Sequence, residues 1–154
     1  MWLIQTRSIV LELVERTQII EIQGMVMIVI YGIKEHINPI KQQLSDVLQQ
    51  CLNRELGLPD DKRAHRFVPL DKEDFFFPQG RTEAYTVIEI NMMEGRTVET
   101  KKRLIKTIFS EVERQLGLSP IDIEITIKEQ PSHCWGFRGM TGDEAQDLKY
   151  KINV

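Results

Sequence analysis

The feature that most constrains this chain is a repeat with an offset of 60 residues. Ile28 and Ile30 return as Ile88 and Ile90. Leu44, Leu48, Leu52 and Leu56 return as Leu104, Ile108, Val112 and Leu116, and Gly57-Leu58-Pro59 as Gly117-Leu118-Ser119. His65 and Phe67 stand opposite Ile125 and Ile127 in the same register. So many matches in one register mark an internal duplication, and each copy is one supersecondary unit.

Within a copy the pattern changes period. Ile28-Val29-Ile30-Tyr31 is apolar and β-branched, a strand signal. Asn38-Pro39 predicts an N-cap followed by proline at the first helical position. Ile40, Leu44, Val47, Leu48, Cys51, Leu52 and Leu56 then form one apolar stripe at helical spacing, closed by Gly57. In the second copy Thr97 is the predicted N-cap. A further strand follows each helix. Strand–helix–strand predicts a crossover joining parallel strands. Two such units, about residues 25–70 and 85–130, predict an α+β fold. Its four-stranded sheet carries both helices on one face. The other face needs a cover, which predicts self-association. Tyr150, Ile152 and Val154 alternate with polar residues and predict a short C-terminal strand for a sheet edge.

Composition limits the function. The formal net charge is -3, which gives no electrostatic basis for binding nucleic acid or an anionic membrane. No apolar run reaches the ~20 residues of a membrane span. Cys51 lies on the first helix's apolar stripe and is expected in the core. It and Cys134 are too far apart in sequence to form a metal-binding pair, and His36, His65 and His133 lack metal-ligand spacing. No metal is expected, and the expected compartment is the cytoplasm. Glu12, Glu15 and Glu21 break up the first 24 residues, which do not read as a secretory signal. The cleaner pattern opening at Met25 predicts the natural start there, with residues 1–24 as an upstream extension, mis-assigned or a short appendage. Between the units, Phe75-Phe76-Phe77-Pro78 needs a burial site, in the core or against another subunit.

Three passages carry a family resemblance. One runs Ile88-Glu89-Ile90-Asn91-Met92-Met93-Glu94-Gly95-Arg96-Thr97 into a helix. The others are Ile123 to Ile127 with Glu129, and Trp135-Gly136-Phe137 with Gly139. Together they resemble the tautomerase superfamily: 4-oxalocrotonate tautomerase, and the duplicated malonate semialdehyde decarboxylase and macrophage migration inhibitory factor. The resemblance spans about Met25 to Gly139. It implies a homotrimer with pockets at subunit boundaries, acting on small 2-oxo or enol carboxylic acids without a cofactor. It also implies an N-terminal proline as base. An α-amine titrates near neutrality, where it can shuttle a proton between carbon and oxygen of an enol. Arginines would hold the carboxylate.

Carried over by position, the resemblance implies substrate-binding roles for Arg96, Arg63 and Trp135. Arg66 is a further candidate on the same strand. By the period of two, Arg63 and His65 share one face and Arg66 takes the other. A second family arginine falls on Glu124, and the first-unit counterpart of Arg96 is His36 or a close neighbour. The proline position is Val26, and no proline precedes Pro39. A catalytic amine at Met25 or Val26 would exist only if the mature chain starts there. Two readings stay open. One is a tautomerase-like, or decarboxylase-like, enzyme acting by proton transfer. The other is a catalytically silent homotrimer that binds a small carboxylate or a protein partner.

Overall fold

The structure, a computed structural model, describes residues 26–145. Met25 and the expected C-terminal strand at Tyr150–Val154 lie outside the described residues. Strand β1 (Val26–Ile33) leads through a single helical turn, α1 (Lys34–Ile37), to α2 (Lys41–Leu56) and then β2 (His65–Leu70). Strand β3 (Thr86–Met93), helix α3 (Val98–Leu116) and β4 (Ile123–Gln130) repeat the plan. The short strands β5 (Gly136–Phe137) and β6 (Met140–Thr141) form an antiparallel ribbon after β4.

The sheet order is β2-β1-β3-β4. Strands β1 and β2 run parallel, as do β3 and β4, while β1 and β3 meet antiparallel at the centre. The duplication is visible in the register. Ile28 faces Ile90 and Ile30 faces Ile88, while Val29 lies opposite its own repeat mate Glu89. Ile28 neighbours His65 as Ile88 neighbours Ile125. The two copies are thus related by an approximate two-fold between the central strands.

Alternation on β1 and β3 buries Ile28, Ile30, Ile88 and Ile90 completely under the two helices. Leu44, Leu48 and Leu52 on α2 and Leu104, Ile108 and Val112 on α3 close this core from above. Cys51 is 1% exposed, the core position its spacing predicted, and burial pushes its thiol up to about 11. The helices run antiparallel and are tied by Arg54 to Glu111 at 3.4 Å and by Thr107 donating to Glu55 at 3.0 Å. The sheet's other face shows half-buried Met27, Val29 and Tyr31 beside Val87, Glu89 and Asn91.

Both helices end on left-handed glycines, Gly57 (φ 67°) and Gly117 (φ 68°), which accept that conformation at no side-chain cost. Their starts differ. Thr97 caps α3 by accepting the Thr100 N–H at 3.2 Å. Replacing it with alanine is expected to cost about 1 kcal/mol in chemical denaturation, and an unchanged midpoint would contradict the cap. The expected Asn38 cap is corrected by the structure. Asn38 closes α1 instead, its N–H bonding Lys34 O at 3.0 Å, and Ile40 precedes α2 without a side-chain cap. The cause is Ile37, which is buried against Gly32 and draws the chain into an extra turn before Pro39.

Candidate active site

In a parallel crossover β1 and β2 begin at the same end of the sheet, and antiparallel β3 ends there. Ile28 N–H donates to Ala64 O at 2.9 Å, and Val26 pairs with Met92. The starts of β1 and β2 therefore meet the segment that follows β4. Between them lies a cavity of 370 Å³. Val26 and Met27 form one wall, Lys62, Ala64 and Arg66 the second, and Trp135 and Gly136 the third.

Each wall is fixed locally. The turn Asp60–Lys62 is anchored from α2, where buried Gln49 donates to Pro59 O at 3.2 Å and Asn53 to Leu58 O at 3.1 Å. Trp135 follows the turn Ser132–Cys134 and is pinned by Gly142 N–H donating to its carbonyl at 2.9 Å. Its indole Nε1 is buried without an acceptor among the described residues, a donor available to a ligand. Arg66 projects from β2 and contacts the Met27 sulfur. Among the described residues neither Lys62 nor Arg66 is in an ion pair. By contrast Lys34, Lys72, Lys101 and Lys128 each meet a carboxylate. A cavity with two cations and no carboxylate among its described lining residues favours an anionic occupant.

The other sequence candidates sit elsewhere. Arg63 turns to the helix side of β2, where it donates to Asp46 at 2.6 Å and to Ser45 Oγ at 3.5 Å. His65 is there too, bonded through Nδ1 to Ser45 Oγ at 2.8 Å. Burial, reinforced by Arg63, pulls the imidazole down to about 4 against the opposing pull of Asp46. Arg96 lies just past β3, at the cavity's end of the sheet but not among its lining residues, and donates to Met93 O at 3.4 Å. Burial lowers its guanidinium pKa and Glu129 counters. Val26 is 3% exposed, and its nitrogen is a peptide amide in the chain as it stands. Lys62 escaped the sequence reading. Its available signal was the basic run Lys62-Arg63 with Arg66 at the start of a strand that must begin beside β1.

The duplication offers an internal comparison. At the other end of the sheet Asp122 is the repeat mate of Lys62, and Phe75 that of Trp135. Asp122 is 5% exposed and accepts Thr82 N–H and Oγ1–H, both at 2.7 Å. Phe75 and Phe77 pack on Tyr85, with ring centroids 5.4 and 5.7 Å apart, while Phe76 remains exposed. Burial and the facing Glu124 raise the Tyr85 hydroxyl to about 12. At the equivalent positions of the second unit, then, the connecting segment takes up the polar and aromatic groups. Only the first unit presents Lys62 and Arg66 to a cavity.

Comparison with known proteins agrees with this architecture. The family model described as "Tautomerase enzyme" matches residues 62–138. The probable tautomerase YusQ of Bacillus subtilis is 27% identical over 101 residues, covering 62% of this chain and 80% of that protein. The probable tautomerase RSp0893 of Ralstonia nicotianae is 30% identical over 61 residues, covering 40% of this chain and 87% of that protein. Among solved structures, a malonate semialdehyde decarboxylase superposes with a TM-score of 0.69 at 18% identity, covering 81% of this chain and 98% of the other. A fused 4-OT asymmetric trimer gives 0.68 at 24% identity, covering 79% and 98%. The macrophage migration inhibitory factor-like protein of Entamoeba histolytica gives 0.61 at 17% identity, covering 76% and 98%. With its duplicated strand–helix–strand plan and a family match that includes Lys62, Arg66, Arg96 and Trp135, the chain belongs to the tautomerase superfamily.

Proposed function

We propose that this protein catalyses proton transfer on a small 2-oxo or enol carboxylic acid held in the cavity between Val26, Lys62, Arg66 and Trp135. The observation that carries this reading is two cations with no carboxylate among the described lining residues, beside an indole donor without an acceptor among the described residues. Arg66 holds the carboxylate through charge-assisted bonds. Trp135 covers the apolar part of the ligand. Arg96, at the same end of the sheet, stabilises charge as the enolate forms. Arg63 supports β2 through Asp46 and leaves the carboxylate to Arg66. A chain beginning at Met25 or Val26 presents its α-amine as the base. The half-buried apolar residues Met27, Val29, Tyr31 and Val87 favour a homotrimer that covers the open sheet face, and the fused 4-OT of similar fold is itself a trimer.

The test is ketonisation of an aryl enolpyruvate, followed by absorbance from about pH 5 to about pH 9. Arg66→Ala is expected to lower kcat/KM about 10- to 100-fold, the range of one charge-assisted hydrogen bond. A wild-type rate equal to buffer, together with undisturbed binding of the substrate, favours the second reading, a silent carboxylate-binding trimer. Valine in place of the proline base is what supports that alternative.

A further inference from the structure

The site as described lacks a base unless the chain begins at its wall. In a chain that continues through Gly24 and Met25, the nitrogen at position 26 is an amide and has no basic lone pair. Lys62 carries the one side-chain amine among the described residues that line the cavity. It stands at the end of a turn anchored to α2, with its own N–H bonding Pro59 O at 3.1 Å. Its ammonium is in no ion pair with a described residue. At the repeat position the second unit has Asp122, buried and bonded twice to Thr82. The duplicated position thus serves structure in one copy and faces a cavity in the other.

We propose that Lys62 Nζ is the catalytic amine of this cavity, forming an iminium with the carbonyl carbon of a small oxo acid. The proposal rests on the oxo-acid reading of the same site. The neutral amine adds to the carbonyl carbon, the carbonyl π pair moves to oxygen, and one proton of the new ammonium passes to that oxygen to give a hydroxyl. That hydroxyl takes a second proton and leaves as water, giving the carbon–nitrogen double bond with its positive charge on nitrogen. The cation draws electrons from the adjacent carbon. A proton lost there to water leaves an enamine, and its return followed by hydrolysis regenerates amine and keto acid. Arg66 beside Lys62 holds the carboxylate, so the carbonyl attached to it is brought to Nζ.

The experiment uses the full 154-residue chain, pyruvate as the carbonyl probe and cyanoborohydride as the trap, followed by peptide mass mapping. The expected adduct gains one pyruvic acid less one oxygen atom, lies on Lys62, and blocks tryptic cleavage there. Lys62→Arg keeps the charge but not the nucleophile. It is expected to lose the adduct and to slow exchange of the pyruvate methyl protons for deuterium in heavy water by about 100-fold or more. An adduct spread over surface lysines, or full deuterium exchange into pyruvate by Lys62→Arg, overturns the role of Lys62 and leaves the oxo-acid reading standing. A wild-type chain with neither adduct nor ketonisation overturns both. Circular dichroism of the variant separates a lost amine from a lost fold.

Discussion

Ile90→Ala is expected to destabilise the fold by about 2–5 kcal/mol, the range for truncating a fully buried isoleucine. The side chain is 0% exposed and sits at the centre of the sheet, between Ile28 on β1 and Ile127 on β4. Close packing on both sides leaves little room for collapse, so the lost dispersion contacts are not recovered. Ile127→Ala is the matched control. Its residue is only partly buried on an edge strand, and its loss should be distinctly smaller. Urea denaturation at one fixed protein concentration reads both, because any self-association would make apparent stability concentration-dependent. Equal losses at the two positions would contradict a core centred on the β1–β3 pair.

The second large effect is a dependence of stability on pH through His65. Its imidazole lies on the helix side of β2, accompanied by Ser45, Arg63 and Asp46. Burial first, and Arg63 second, lower its pKa from 6.5 to about 4, with Asp46 opposing. The folded state therefore binds the proton less readily than the unfolded chain. Stability from this group is complete above pH 6.5 and declines as pH falls from 6.5 towards 4, below which both states are protonated. The shift sets a ceiling of about 3 kcal/mol, and solvent screening of the half-buried ring reduces it to about 1–2 kcal/mol. His65→Ile copies the repeat mate Ile125 and removes the titrating group. The wild type should lose more stability than His65→Ile between about pH 6.5 and about pH 4. Parallel curves for the two chains would show that the imidazole does not titrate as its surroundings dictate.

The pocket residues were legible in unequal degree. The period of two placed Arg63 with His65 and Arg66 on the opposite face, and the structure separates them in that way. Which face met a cavity could not be read, because both faces of an edge strand offer polar surroundings. Lys62 was invisible for a related reason. It lies in a turn, where no periodicity assigns a direction, and its orientation comes from Gln49 and Asn53 on α2 holding the loop. The Asn38 cap failed locally. Its residue type suits a helix start, yet burial of Ile37 outweighed that preference, worth about 1 kcal/mol.

The sequence alone determined the fold, because periodicity and duplication are properties of neighbours along the chain. Ile28 and Ile30 with Ile88 and Ile90 defined two strands, the leucine stripes two helices, and the common offset their pairing into one sheet. Only the tertiary structure located the cavity. The cavity joins Val26, Lys62 and Trp135, residues far apart in the chain, at the end of the sheet where β1 and β2 begin. Such convergence follows from strand direction and loop packing acting together. The same duplication left a buried Asp122 bonded to Thr82 at one end and a cationic cavity at Lys62 at the other, a difference that rests on which side chains the connecting segments bring to each end.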